Sequence, residues 1–183
     1  SYINNYENRP QNSFISVGRL ERQKNFAELI KKVNQKDINF KIVGDGSEKY
    51  NLIDLSTKSD TNFQLIGKVK HHELLNIYQD SRFFVLSSKY EGNPKVLLEA
   101  MANGCVVITN DITSTKEIII DQINGYVLDF ENDDLNEKLK LIKNNHEVNQ
   151  NIIKESINHI ELNNSLEVIE QSELRIYNDI IKI

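Results

Sequence analysis

Short apolar runs alternate with amphipathic segments along most of the chain. Continuous apolar runs are typical of strands buried on both faces of a parallel sheet, and apolar residues spaced by three or four are typical of helices that cover such a sheet. Six runs predict strands, at residues 14–17, 40–43, 63–66, 83–86, 105–109 and 125–128. The alternation predicts an α/β fold, a doubly wound Rossmann-like parallel sheet of about six strands.

The same pattern predicts how the chain is divided. Residues 1–12 are polar and rich in Asn, which predicts a linker. Residues 13–145 hold the alternating elements and predict one Rossmann-like domain. Residues 146–183 carry helical patterns without a further strand and predict a C-terminal helical extension. Its last helix, at residues 164–181, is expected to pack on a surface that this chain does not fully supply. The sequence does not begin with Met, so we expect the chain to be a fragment of a longer protein.

Composition narrows the class of protein. The chain has 183 residues, 39% of them hydrophobic, and a formal net charge of -5, so a general nucleic-acid-binding surface is not expected. The single cysteine, Cys105, cannot form an internal disulfide and is compatible with the cytoplasm. No apolar run approaches the length of a transmembrane segment. These features indicate a globular cytoplasmic protein.

Two carboxylates, Glu91 and Glu99, flank the start of the helix predicted after the fourth strand. Glu91 falls at the carboxyl end of that strand, where open parallel sheets bind ligands. Glu99 lies on a helix that is apolar nearly all round, and a buried carboxylate needs a hydrogen-bond partner or an opening. Two interpretations of Glu99 stay open here: a ligand contact, or a glutamate at the helix rim that meets water or a lysine.

The turn before that helix predicts an anion site. Asn93 is a favourable N-cap, and Pro94 suits the first helical position. The amides of Gly92, Asn93 and Lys95 are therefore expected to be free and to face the sheet edge. From Pro94 to Glu99 the helix rises by roughly 7.5 Å, so a ribose would fit between a phosphate at the helix start and Glu99.

Two cations follow the first strand. Arg19 and Lys24 could hold a diphosphate, Arg19 through its planar guanidinium and Lys24 as a point charge. The alternative is that both are solvated cations in a loop that also contains Glu21 and Arg22. A carboxylate site at another strand end of the same sheet favours the binding interpretation.

Several other kinds of chemistry are not supported by motifs. Residues 44–46 form a glycine turn after the second strand, but the chain lacks the G-x-G-x-x-G, P-loop and G-x-S-x-G motifs. It has no Asp-x-Asp pair, and His71 and His72 have no further His or Cys at metal-ligand spacing. We therefore expect no metal site and no organic cofactor.

Several ordered motifs resemble those of retaining GT-B glycosyltransferases of group 1 (family 4). The two carboxylates occupy the Glu-x7-Glu signature of that family, at Glu91 and Glu99. Residues 17–25, 42–46 and 124–127 resemble its first glycine loop, its second glycine turn and its late Asn-Gly-aromatic turn. The resemblance covers residues 13–145.

The resemblance implies two Rossmann-like domains that face each other across a cleft, and this chain resembles the C-terminal, donor-binding domain. By similarity, Arg19 and Lys24 would hold the donor diphosphate, and Glu99 would bind the ribose hydroxyls. Glu91 would be catalytic and contact the transferred sugar near the reacting centre. The base would lie near residues 44–46 and 68–69. The donor-binding residues implied in this way are Gly18, Arg19, Lys24, Gly44, Lys68, Val69, Gly92, Asn93, Pro94, Lys95, Val96 and Glu99.

The implied activity is that of a bacterial-type, nucleotide-sugar-dependent hexosyltransferase that acts on a polysaccharide, lipopolysaccharide or other glycoconjugate. The donor would be a UDP-, GDP- or ADP-sugar, and the glycan or lipid-linked acceptor would bind to an N-terminal domain absent from this sequence. A lipid acceptor would make the full-length protein peripheral to the inner membrane. Asn93 and Lys95 depart from the family's usual residues, which leaves donor identity open. The alternative function is a non-catalytic nucleotide-binding module or the regulatory half of a GT-B protein.

Overall fold

The predicted strands form one six-stranded parallel sheet in the computed structural model, which describes residues 6–163. The strands are β1 (Ser13–Val17), β2 (Asn39–Val43), β3 (Asn62–Gly67), β4 (Phe83–Leu86), β5 (Val106–Asn110) and β6 (Tyr126–Leu128). Their order is β3-β2-β1-β4-β5-β6, and each neighbouring pair is parallel. β1 and β4 are central and buried on both faces, which explains their continuous apolar sequences. The predicted fold class is confirmed.

Helices cover both faces of the sheet. They are α1 (Phe26–Lys32), α2 (Lys49–Thr57), α3 (His71–Gln79), α4 (Lys95–Ala102), α5 (Thr113–Lys116), α6 (Leu135–Asn144) and α7 (His146–Asn163). A 3-10 turn, Arg22–Lys24, precedes α1. Across residues 6–163, no helix has both the length and the hydropathy needed to cross a bilayer. The helix predicted at residues 164–181 lies outside the described residues.

Successive strand residues face opposite sides of the sheet, and each side has its own apolar cluster. One side carries a row of four aromatic rings whose neighbouring centroids lie 4.6, 5.7 and 5.2 Å apart: Phe83, Phe14, Phe40 and Phe63. The other side packs the sheet against α3 and α4, through residues that include Phe84 and Met101. The two clusters leave the carboxyl ends of the strands as the edge where loops can form a site.

Residues 6–12 pack on the domain, which corrects the prediction of a linker over residues 1–12. Tyr6 is 1% exposed and belongs to the first apolar cluster. Arg9 is buried, and its two terminal nitrogens donate to main-chain carbonyls at the amino edge of the sheet, those of Tyr78, Ser81, Asn103 and Gly104. These bonds replace the water that a guanidinium loses on burial. A tyrosine and an arginine in an Asn-rich segment look like an exposed linker, so the sequence pattern did not show this packing.

Helix α7 packs against both apolar clusters. Its buried residues Ile152 and Ile153 join the first cluster, and Ile160 packs against the second. Gln150 of α7 donates to the Glu7 carboxylate at 2.5 Å, which ties the two ends of the described chain together. The start of the predicted C-terminal extension therefore belongs to the same packed unit as the sheet.

The strand order reverses at β1, which has β2 on one side and β4 on the other. In open α/β sheets, loops that leave neighbouring strands in opposite directions open a crevice at such a switch point, and ligands bind there. The loops after β1 and β4 both carry predicted site residues. The topology therefore indicates a ligand site at the carboxyl edge between these two strands.

Candidate active site

A cavity of about 500 Å³ opens at the carboxyl ends of β1, β2 and β3. Its lining consists of Val17, Gly18, Arg19, Val43, Gly44, Asp45, Gly46, Lys68, Val69 and Leu74. Five predicted site residues are brought together here: Gly18, Arg19, Gly44, Lys68 and Val69. Small-molecule pockets occupy about 300–1,000 Å³, so this cavity is large enough for a nucleotide.

The floor of the cavity is main chain. The Gly18 amide donates to the Val43 carbonyl at 3.0 Å, and the Gly44 amide donates to the Gly67 carbonyl at 2.9 Å. Gly44 has φ +149°, and a Cβ at this position would lie 1.8 Å from the Gly18 carbonyl oxygen. Only glycine lets the loop after β2 approach the loop after β1 so closely. The predicted glycine turn thus fixes the shape of the cavity.

The walls and the rim of the cavity differ in polarity. Val43, Val69 and Leu74 supply apolar surface. Arg19 and Lys68 are exposed cations of the same lining. A flat apolar ring could pack on the walls while an anion attached to it reaches the cations. The arrangement suits a ligand with an aromatic base at one end and negative charge at the other.

Lys24 and Glu91 form an ion pair at the switch point of the sheet. The Lys24 ammonium lies 2.5 Å from Glu91 Oε1, and the two side chains are 13% and 7% exposed. Lys24 precedes α1 and Glu91 precedes α4, so the pair joins the loops after β1 and β4. The Lys24 stem passes beside Gly18, where a Cβ would lie 3.1 Å from Lys24 Cε. The pair therefore lies next to the cavity, although neither residue is part of its lining.

Hydrogen bonds hold these two loops together. The Lys89 amide donates to the Gln23 carbonyl at 3.0 Å, and the Gln23 side-chain amide donates to the Tyr90 carbonyl at 2.9 Å. The Ser87 hydroxyl donates to the Lys24 carbonyl at 2.7 Å. These bonds fix the backbone on both sides of the ion pair, so less conformational entropy is left to lose when the two charged groups meet.

The start of α4 differs from the prediction. The helix begins at Lys95, and Pro94 occupies the N-cap position predicted for Asn93. Pro94 has φ -81° and ψ 61°, and the Lys95 amide donates to the Asn93 carbonyl at 2.9 Å, which is an inverse γ-turn. The prediction of a free Lys95 amide is wrong, because this turn uses it. Within the described chain the amides of Gly92, Asn93 and Val96 donate no hydrogen bond, so an anion could be bound by these three.

Glu99 on α4 has a tyrosine as its partner. The Tyr78 hydroxyl lies 3.3 Å from both Glu99 Oε2 and the Val96 carbonyl. Burial, and then the nearby Glu99 carboxylate, raises the pKa of Tyr78, so the hydroxyl stays protonated and donates. Glu99 is half-buried and is not part of the cavity lining, whereas Leu74, one turn before Tyr78 on α3, is. Glu99 thus has a hydrogen-bond partner within the protein, Tyr78, which neither of the two interpretations of Glu99 included.

The other side chains with possible reactivity, a cysteine and the metal-ligating types, do not indicate a nucleophile or a metal site in the described residues. Cys105 is buried, and burial raises the pKa of its thiol to about 12, which makes it a poor nucleophile. Among residues 6–163, no group of three or more His, Cys, Asp or Glu side chains is placed to hold a metal ion. The candidate chemistry is therefore concentrated at the carboxyl edge of the sheet.

The order of these motifs along the chain matches a known family. The family model described as "Glycosyl transferases group 1" matches residues 4–159, which is most of the chain. The chain belongs to this family. The prediction from the Glu-x7-Glu signature and the two glycine loops is confirmed.

Individual group 1 glycosyltransferases are similar in sequence to this chain. The amylovoran biosynthesis glycosyltransferase AmsD of Erwinia amylovora is 35% identical over 133 residues, which are 69% of this chain and 37% of AmsD. The chain thus spans less than half the length of this relative.

Solved structures agree on the fold. A crystal structure of an S. aureus TarM variant in complex with fondaparinux, alpha-GlcNAc-glycerol and UDP has a TM-score of 0.82 at 23% identity, over 93% of this chain and 37% of that one. The C-terminal domain of the group 1 glycosyl transferase LpcC of Francisella tularensis has a TM-score of 0.74 at 20% identity, over 91% of this chain and 94% of that one. At such identities the likeness shows the fold alone, that of a GT-B C-terminal domain.

In this group 1 family member, the predicted site residues fall into four groups. The first lines the cavity, the second is the Lys24–Glu91 ion pair, the third is residues 92–96 at the start of α4, and the fourth is Glu99, which contacts Tyr78. The structure does not bring Glu91, Glu99 or Lys24 into the lining of the cavity. The roles assigned to these residues stay predictions.

Two residues that contact the predicted carboxylates, Ser88 and Tyr78, were not predicted from the sequence. The Ser88 hydroxyl donates to Glu91, three residues later, and this short spacing is a local signal that could have indicated the contact. Tyr78 contacts Glu99 across 21 positions and lies on another helix, so no local signal indicates it. Each contact fixes one carboxylate of the Glu-x7-Glu signature, Glu91 or Glu99.

Proposed function

We propose that this chain is the donor-binding domain of a retaining glycosyltransferase, which moves a sugar from a nucleotide-diphosphate sugar to a polysaccharide, lipopolysaccharide or other glycoconjugate. The donor is a UDP-, GDP- or ADP-sugar, and the transferred sugar is a hexose. The observation that carries the proposal is the Lys24–Glu91 ion pair, which lies at the switch point of the sheet and beside a nucleotide-sized cavity.

The cavity supports the placement of the nucleotide. A base would pack on Val43 and Val69 above the glycine floor, and its diphosphate would extend toward Arg19 at the rim. Glu99 is the candidate for the ribose, because one carboxylate can accept hydrogen bonds from two neighbouring hydroxyls. The Tyr78 hydroxyl would hold that carboxylate in place while it does so.

The charges of the site support the chemical step. As the bond between sugar and diphosphate breaks, negative charge grows on the leaving phosphate and positive charge grows on the sugar ring. Arg19 and Lys24 would stabilise the phosphate, together with the unpaired amides at the start of α4. Glu91 would orient the sugar and stabilise the ring, while the departing phosphate assists the acceptor hydroxyl on the same face.

The acceptor is proposed to bind to a part of the enzyme outside this chain, which spans 37% of the length of AmsD. We therefore expect the 183-residue chain alone to bind a nucleotide sugar weakly and to transfer little sugar compared with the full-length enzyme. A transfer assay that compares the two proteins checks this expectation. Comparable turnover by the isolated chain would show that it contains the acceptor site after all.

Calorimetric titration of UDP-, GDP- and ADP-sugars tests donor binding by the chain and by the full-length enzyme. We expect saturable binding of sugars that share one base. Arg19→Ala should weaken it about ten-fold or more, because a hydrogen bond to a charged group contributes about 1.5–3 kcal/mol. The dissociation constants of the wild type and the variant are the measured quantities.

Arg22→Ala is the matched control for Arg19→Ala. Arg22 lies three positions further along the same loop, its side chain is 93% exposed, and it contacts Glu48 at 3.6 Å outside the cavity. An exposed pair of this kind contributes about 0–1 kcal/mol, so donor affinity should not change. Equal losses in the two variants, or no saturable binding by the full-length enzyme, would contradict the proposed donor site.

A further inference from the structure

We infer that Ser88 is a positioning residue, which fixes the orientation of the Glu91 carboxylate during sugar transfer. Ser88 is 1% exposed, and its hydroxyl donates to Glu91 Oε1 at 2.5 Å. The inference rests on the proposed function, because it concerns how Glu91 meets the transferred sugar.

Two donors converge on one oxygen of Glu91. Oε1 accepts hydrogen bonds from Ser88 Oγ and from Lys24 Nζ, each at 2.5 Å. Within residues 6–163, no group donates to Oε2. The contacts therefore hold Oε1 against the protein and leave Oε2 to accept a hydroxyl of the sugar.

A diphosphate affects these two donors differently. Its negative charge attracts the Lys24 ammonium, which is one of the two cations proposed to bind it. Lys24 is then shared between the diphosphate and Glu91, so its hold on Oε1 weakens when the donor is bound. The Ser88 hydroxyl is neutral and buried and meets no such competition. Ser88 is therefore the group that keeps the carboxylate in place at the time of reaction.

Ser88 is itself held by the neighbouring strand. Its carbonyl accepts a hydrogen bond from the Asn110 side-chain amide at 3.1 Å, and Asn110 Oδ1 accepts one from the Phe130 amide at 3.2 Å. Asn110 is the last residue of β5, which lies beside β4 in the sheet. The hydroxyl is thus directed at Glu91 by the sheet as well as by its own loop.

The test compares Ser88→Ala with Ser16→Ala in the full-length enzyme. Ser16 is also buried, and its hydroxyl donates to the Val85 carbonyl at 2.6 Å, so its loss removes a similar hydrogen bond without touching Glu91. In Ser88→Ala we expect kcat to fall about ten-fold or more, as a hydrogen bond to a charged group is lost, and the donor KM to change less than about three-fold. Ser16→Ala should keep kcat and lower only the melting temperature.

A double-mutant cycle with Glu91→Gln separates positioning from a structural role. Glutamine keeps an oxygen that can accept from Ser88 but lacks the negative charge that Ser88 is proposed to position, so Ser88→Ala should lower kcat much less in the Glu91→Gln background than in the wild type. The affinity for the nucleoside diphosphate, which has no sugar, should be unchanged in Ser88→Ala. Equal losses of kcat in both backgrounds, or wild-type kcat in Ser88→Ala, would overturn the inference. If the wild-type full-length enzyme transferred no sugar, the proposed function itself would be overturned.

Discussion

Replacing Glu91 by glutamine in the full-length enzyme should lower kcat by about 100-fold or more, while the donor KM changes by less than about three-fold. Glutamine keeps the size of the side chain and an oxygen that can accept from Ser88. It removes the negative charge that would face the sugar ring as its bond to the diphosphate breaks. Because that charge matters most in the transition state, the loss should appear in kcat. Steady-state kinetics with the preferred donor measures both constants.

The same substitution leaves Lys24 without its anionic partner. The Lys24 side chain is only 13% exposed, so its ammonium has little water to replace the lost carboxylate. We expect the nucleoside diphosphate alone to bind Glu91→Gln at least as tightly as the wild type. Glu99→Gln is the contrasting variant and should weaken nucleotide binding more than it lowers kcat. Equal losses of kcat and affinity in Glu91→Gln would assign Glu91 to binding only.

Gly44→Ala should destabilise the domain by about 3 kcal/mol or more, or prevent folding, and should abolish nucleotide binding. A Cβ at residue 44 would lie 1.8 Å from the Gly18 carbonyl oxygen and 2.9 Å from the Gly18 carbonyl carbon. Both atoms are main chain, so the two loops can accommodate the methyl group only by separating. That movement would break the Gly18–Val43 and Gly44–Gly67 hydrogen bonds and open the cavity floor. Urea denaturation of the chain measures the free energy of unfolding.

Two other glycines separate steric overlap from backbone strain. Gly67 has φ +81° but a Cβ there would meet nothing within 4 Å, so Gly67→Ala should cost about 1–2 kcal/mol. Gly92 has open space and no positive φ, so Gly92→Ala should change stability by less than about 0.5 kcal/mol. If Gly44→Ala were as stable as Gly67→Ala, the close contact between the two loops would not explain why residue 44 must be glycine.

The strands and the family could be predicted because their signals are local. β1 and β4 are buried on both faces, and this burial produces a continuous apolar run whatever the partner strands are. Glu91 and Glu99 lie in one strand-helix unit, so their spacing along the chain carries the signature without knowledge of the tertiary structure. The glycine turns could be recognised because each directly follows a predicted strand, although the contact that requires glycine at residue 44 is with Gly18, 26 positions earlier.

The features that were missed depend on partners far along the chain or on a choice between two local conformations. Lys24 and Glu91 are 67 positions apart, and each was assigned to a different part of the ligand, so their mutual contact was not predicted. Arg9 is buried only because several carbonyls at the amino edge of the sheet converge on it. An Asn-Pro pair suits both a capped helix start and an inverse γ-turn, and the structure has the second at Pro94.

The position of β1 has a consequence for the motions of the site. Every residue of this strand is buried, and it is paired with β2 on one side and with β4 on the other. We therefore expect its amide protons to be among the slowest of the domain to exchange with deuterium, because they are released only when the two halves of the sheet separate. Gly18 follows β1 directly, and its amide continues the pairing onto Val43. The loop proposed to meet the donor phosphates is thus anchored to a buried central strand, so we expect its backbone to lose little entropy on binding.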